Sequence, residues 1–447
     1  MDNKIKVEEK LTKEERNILE KNLKICFDVI VKSTGAKSFD IENKEKFLEE
    51  FSPWHQEKGQ ELIKKFVDNF NNDNSNDDFS WLDILDDDKQ WNKLDEETKK
   101  EIKDKSKYVN MRYQIPTHFH GDINNAVILH CMENPRGYLG DWDDDQIDEE
   151  FAGANLEEFY IKSSSKRKEK SKILKEIIRE RYQLEKTSIE ENLKKEIINI
   201  IYSYEESALG HEIEHIYKQD EDNKYYNFDF ESEKSKTKLL KDYYYLKEYY
   251  SQLIQTNQKL DFKKLKNEKE AVKEIADKIC NVEIYPFSCN QPNLGGNGIG
   301  RKILLKSDLS RLGAYIVLRR IYRYLNYKTD KPVIVFRKYD RAWKELFKTI
   351  FSEVEDKAKD FNANDFLKKL ENNFFYCQLR PRGGGITSGN VISVANYKEY
   401  LKLKKDPTLT KIELNEKYLK MKDDAFKEIS SLLPRIEVDK KETKIGK

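Results

Sequence analysis

The run NAVILHCM, residues 125–132, constrains the fold more than any other feature, because it is continuously apolar between turn formers. A strand stays apolar along its length only when both of its faces are covered, as in a parallel sheet with helices on each side. NVEIYPF at 281–287, KPVIVF at 331–336 and FFYCQL at 374–379 repeat the pattern. SDLSRLGAYIVLRRIYRYLNY (307–327) and YDRAWKELFKTIFSEVEDKAKDF (339–361) lie between them with helical spacing of their apolar residues. This alternation predicts an α/β domain whose four apolar runs lie side by side in one sheet.

The rest of the chain is organised around that core. Residues 1–105 read as a helical N-terminal region, with TKEERNILEKNLKICFDVIV carrying apolar residues at spacings of three and four. The α/β core spans 106–145 and 278–400, and 146–277 is long charged helical sequence, read as an insertion. Residues 401–447 read as a charged C-terminal tail.

Composition narrows the classes. Charged residues make up 37% of the chain and hydrophobic residues another 37%, with 25 Tyr and 22 Phe, which predicts an ordered protein. The net charge is +0, so attraction for a polyanion has to be local. The N-terminus has no apolar targeting segment and no apolar run reaches membrane-spanning length, so a cytoplasmic protein without a membrane partner is expected. The five cysteines are scattered without a C-x-x-C pair, which fits reduced thiols.

Four motifs in order, FHGDINNAVILHCMENPRGY, NVEIYPFS, KPVIVFRKYDRAW and RPRGGGITSGNVIS, resemble the uracil-DNA glycosylase-like superfamily, and more closely its divergent bacterial members. The resemblance covers residues 115–142 and 278–396. It implies a short parallel sheet with the site on loops at the strand ends, and recognition of a base or nucleotide in DNA, in RNA or free. It further implies N-glycosidic cleavage and a role in anti-phage defence. In ENPRGY it points to Asn134 for positioning water, to Tyr138 as a stacking face, and to the neighbouring Glu133 as an alternative base. In YPFSCNQPN it points to Phe287, Ser288 and Asn290 as pocket residues. In the last loop Arg380 and Arg382 stand where the family's loop is often built around His and Ser. Arginines beside a glycine-rich loop suit a phosphate.

A local basic bias fits the same reading. Arg311, Arg319, Arg320, Arg323, Lys328, Lys331, Arg337, Lys338 and Arg341 outnumber the acids Asp308, Asp330, Asp340 and Glu345 and interleave with Tyr315, Tyr322, Tyr324, Tyr327 and Trp343, as on a surface that tracks a phosphate backbone.

GHEIEH, residues 210–215, contains the pattern H-E-x-x-H. On a helix His211 and His215 lie one turn apart and suit one zinc, with Glu212 placed to activate water. Glu214 and Lys218 make the helix too polar for a buried zinc site, and only acids such as Asp229, Glu231 and Glu233 follow as a third ligand. The expectation is therefore a solvated insertion helix and no cofactor. A zinc metallopeptidase and a non-catalytic module that binds nucleic acid or a regulatory or phage protein are the alternatives to a glycosylase.

Overall fold

The computed structural model describes residues 11–71, 81–89, 91–97, 99, 115–133, 197–203, 207–218, 243–254, 268–287, 307–327, 329–380 and 384–434. Its centre is a mixed sheet of seven strands: β1 (Phe119–His120), β2 (Ile128–Met132), β3 (Tyr202–Ser203), β4 (Ile279–Glu283), β5 (Val333–Phe336), β6 (Phe375–Gln378) and β7 (Val391–Ser393). Their order is β3-β1-β4-β2-β5-β6-β7. The four apolar runs supply β4, β2, β5 and β6, which are adjacent and parallel. β1 and β7 are antiparallel to their inner neighbours β4 and β6.

Helices α1 (Lys13–Thr34), α2 (Lys44–Phe51), α3 (Glu57–Asn71), α4 (Ala208–Lys218), α5 (Lys269–Asp277), α6 (Asp308–Tyr327), α7 (Trp343–Glu355), α8 (Ala363–Asn373), α9 (Val394–Leu403) and α10 (Lys411–Ser431) frame the sheet. Side chains alternate along each strand, so Leu129, Cys131, Cys280, Val282, Ile334 and Phe336 enter one core with α1, α2, α6, α7 and α8. Ile128, Met132, Ile279, Val333 and Val335 enter a second core with α4, α5 and Tyr243–Ile254. Both faces are covered, which is why these strands are apolar on every side.

Three segments are more deeply built into the domain than their charge suggests. The insertion adds β3 to the sheet, parallel to β1, and covers the second core. The stretch expected as a charged tail forms α10, opened by a Thr410–Glu413 capping box, with Ala425 and Ile429 buried in that same core. In the acidic stretch between α3 and β1, Trp81, Leu82, Ile84, Leu85 and Trp91 are buried.

The basic stretch is largely absorbed in packing. Arg320 is fully buried and donates to the carbonyls of Ala126 and Asp330, at 2.9 and 2.6 Å. Arg319 donates to the Asp40 carbonyl and to Asn124 Oδ1, and Arg323 to the carbonyls of Asn124 and Ile41. Arg311 forms a two-pronged ion pair with Glu353 at 2.7 Å. Arg319, Arg320 and Arg323 tie α6 to the connection between α1 and α2 and to the loops flanking β2 and β5, and Arg311 ties it to α7, so their donors are taken up within the fold. A phosphate-tracking surface needs them outward. The described cysteines, Cys26, Cys131, Cys280 and Cys377, are buried free thiols. Among the described residues no helix is long and apolar enough to cross a membrane.

Candidate functional site at the carboxyl edge of the sheet

The chain leaves β2 to form β4 on one side, then crosses to β5 on the other. The first connection covers the insertion face and the second the opposite face, as right-handed crossovers in opposite directions require. Where such a sheet reverses direction, the loops at the carboxyl ends diverge and leave a crevice. Here that point lies between the ends of β2 and β5. Glu133 follows β2, Arg337 and Lys338 follow β5, Glu283 ends β4 and Gln378 ends β6. Lys338 is the one non-glycine residue with positive φ among the described residues, at φ 50° and ψ 45°. Its ammonium forms an ion pair with the Glu133 carboxylate, joining the ends of β2 and β5. Strained backbone of this kind concentrates at functional sites.

Strand parity gathers a second group. Residues 130, 281, 283, 337 and 378 share the parity of the second core, so His130, Asn281, Glu283, Arg337 and Gln378 face the insertion. The insertion answers with tyrosines. Arg337 Nη1 donates to the Tyr249 hydroxyl at 2.6 Å. Asn281 Nδ2 donates to the Tyr250 hydroxyl at 2.5 Å, and His130 Nδ1 meets that hydroxyl at 2.8 Å. Gln378 Nε2 lies 3.2 Å from His130 Nε2. An amide nitrogen only donates, so His130 Nε2 accepts and Nδ1 carries the proton toward Tyr250.

Burial sets the electrostatics. It pushes the Glu283 carboxyl up to about 8, opposed in part by Arg337 and reinforced by Glu133. Glu283 is therefore mostly a neutral acid at pH 7. Its Oε2 is buried without a hydrogen-bond partner among the described residues, and so is Gln378 Oε1. Burial drives His130 down to about 3, with Arg337 adding to the effect and Gln378 opposing it. The Tyr250 hydroxyl is held well above the tyrosine range, again chiefly by burial. The edge thus combines a protonated carboxyl, an ion-paired carboxylate, a guanidinium and a neutral imidazole.

The residues expected from sequence fall unevenly on this site. Glu133 is at the end of β2, paired with Lys338. Asn134, Tyr138, Ser288, Asn290 and Arg382 lie outside the described residues. Phe287 is buried in the first core with its ring 6.4 Å from Trp54, edge to face, so it offers no open face to a base. Arg380 is exposed, and its backbone N–H donates to Asn390 Oδ1. Gly384 and Gly385 beyond it serve chain packing. A Cβ on Gly385 would come within 2.2 Å of the Glu248 carbonyl, and Ile386 N donates to the Tyr249 carbonyl.

GHEIEH is also placed differently from the solvated helix expected. It lies on α4, where Leu209 and Ile213 are buried and His211 is exposed. The Glu212 carboxylate is buried and accepts the backbone N–H groups of Tyr245 and Leu246, at 2.9 and 2.6 Å. Both oxygens are thus engaged by backbone. No group of three or more His, Cys, Asp or Glu suited to a metal occurs among the described residues.

Sequence reasoning missed His130, Asn281, Glu283 and Gln378, and placed Arg337 only on a general phosphate-tracking surface. The usable signal was polar residues of one parity inside otherwise apolar strands: His in NAVILHCM, Asn and Glu in NVEI, Gln in FFYCQL. No family model, curated protein or solved structure matches the chain.

Proposed function

We propose that the carboxyl edge of the sheet recognises a nucleotide, in nucleic acid or free, and cleaves its N-glycosidic bond. The observation that carries this reading is Glu283, a buried carboxyl that burial keeps protonated, with an unpartnered oxygen beside Arg337 at the reversal point of the sheet. Water adds to the sugar C1′ as the bond to the base nitrogen breaks. Glu133 takes the proton from that water, and Glu283 supplies a proton to the departing base. Two carboxyls in contrasting environments suit these opposite roles. Arg337 supplies positive charge for a phosphate, or for the negative charge that builds on the base before the Glu283 proton reaches it.

The sequence resemblance extends the proposal to anti-phage defence and to Asn134 as a water-positioning partner. The peptidase alternative requires Glu212 as a base, and Glu212 is occupied by two backbone N–H groups. A binding module without catalysis differs from the glycosylase in a single measurement, release of free base. Single- and double-stranded oligonucleotides and free nucleosides, scored for free base and abasic sites, provide it. The expected result is base release that Glu283→Gln slows by about 100-fold or more, the scale of a lost proton donor. Binding without base release in any substrate would reduce the proposal to recognition. Binding of none would overturn it.

A further inference from the structure

The motif GHEIEH is left without a role by that proposal, yet its Glu212 makes one of the most specific contacts in the insertion. Residues Tyr245–Tyr249 form a π-helical turn, closed by Tyr250 N donating to the Tyr245 carbonyl at 3.0 Å. Such turns are rare and recur at functional sites. This one is held from both ends. At its start the two Glu212 oxygens accept the N–H groups of Tyr245 and Leu246. At its end the loop after β6 presses Gly385 against the Glu248 and Tyr249 carbonyls, with Ile386 N bonded to the Tyr249 carbonyl at 2.8 Å. Ser388 N adds a bond to Gln252 Oε1 at 3.0 Å.

What the turn aims is two consecutive tyrosines. Tyr249 reaches Arg337 beyond β5, while Tyr250 reaches His130 on β2 and Asn281 on β4. These contacts span three neighbouring strands, from the middle of β2 and β4 to the residue after β5. A turn shifted by one residue would carry both hydroxyls off these partners and leave the buried His130 imidazole and Asn281 amide and the half-buried Arg337 guanidinium without them.

We propose that Glu212 is a positioning residue of the sheet-edge site, fixing the register of the π turn so that Tyr249 and Tyr250 hold Arg337 and His130 in place. This rests on reading that edge as the nucleotide site. The charged carboxylate matters because each of its two oxygens accepts one N–H group, whereas a glutamine of the same size offers one oxygen and turns a donor amide toward the other N–H. H-E-x-x-H then contributes its glutamate to geometry.

Two measurements on the full chain test this separately from the reading of the site. The first is hydrogen exchange followed by mass spectrometry in Glu212→Gln. Exchange in peptides covering 243–254 should rise by about tenfold or more while β2 and β5 stay protected. Unchanged protection of 243–254 would overturn the positioning role. Should Glu212→Gln fail to fold, Glu212→Asp keeps the charge but shortens the reach, and the same exchange pattern is expected of it. Gly385→Ala, acting at the opposite end of the turn, should raise exchange over the same residues.

The second measurement is calorimetric binding of nucleoside 5′-monophosphates. Glu212→Gln should weaken it by about tenfold in the parent and by little in Tyr249→Phe, since both changes act on one contact. Equal weakening in the two backgrounds would overturn the coupling through Tyr249. A parent protein that binds no nucleotide would overturn the site reading alone, leaving the exchange result to decide the clamp.

Discussion

His130 and Asn281 stand directly opposite each other on the parallel strands β2 and β4, and both bond to the single hydroxyl of Tyr250. Three residues from three distant parts of the chain thus share one buried oxygen.

Tyr250→Phe removes that oxygen and leaves an imidazole and an amide facing an apolar ring. Each buried polar group left unsatisfied costs about 1–3 kcal/mol. The variant should therefore unfold at lower denaturant concentration with an unchanged slope. A midpoint equal to the parent's would show the network contributes nothing to stability.

Glu283 gives a pH signature. Its folded value, about 8, lies above the ordinary carboxylate value of 4.5. The folded state keeps a proton that the unfolded chain has released, so this group's contribution is complete below 4.5 and is lost as pH rises toward 8. Glu283→Gln lacks that loss. Its melting temperature relative to the parent should climb between pH 5 and 8, and a flat difference would contradict a protonated Glu283.

The buried histidines act in the opposite direction. His118 accepts from Trp54 Nε1 at 3.2 Å and bonds the Leu309 carbonyl at 2.9 Å, and burial holds it, like His130, at about 3. The unfolded chain takes up protons near 6.5 that these side chains refuse, so their contribution is full above 6.5 and falls as pH drops toward 3. His118→Asn should lower stability at pH 7 and flatten its loss between pH 6.5 and 4.5, as read by denaturant titration.

Phe287→Ala should behave as a core truncation, costing about 3–5 kcal/mol, because its ring is 2% exposed. Nucleotide binding measured well below the melting point should change little. A large loss of binding with unchanged stability would return Phe287 to the pocket.

Arg320→Met should destabilise by about 2–4 kcal/mol, since the Ala126 and Asp330 carbonyls lose charged donors. The salt dependence of any nucleic-acid binding should stay as in the parent, because the guanidinium contributes no phosphate contact.

How much of this was legible followed from how local each signal is. β2, β4, β5 and β6 announced themselves because a doubly covered strand must be apolar throughout. β1 and β3 are two residues each and exist only through their pairing, so no periodicity betrays them. Glu133 was found from its loop. His130, Glu283 and Gln378 were hidden because parity acquires meaning only after the strands are aligned. The Arg-rich helix misled because sequence gives charge without direction, and its donors turn inward to carbonyls. The tyrosine-rich stretch of the insertion was covered by the helical reading of 146–277, since nothing in its spacing encodes a π turn.

The central strand has a consequence for biosynthesis. β2 bonds on one edge to β4 and on the other to β5, both far downstream. When it leaves the ribosome neither neighbour exists, and everything up to Lys278 must be translated before the first edge can close. Such distant pairing makes folding slow, and an apolar strand waiting with two open edges is prone to associate with other chains. Nascent chains halted before β4 should therefore depend on chaperones, and those extended past β6 should not.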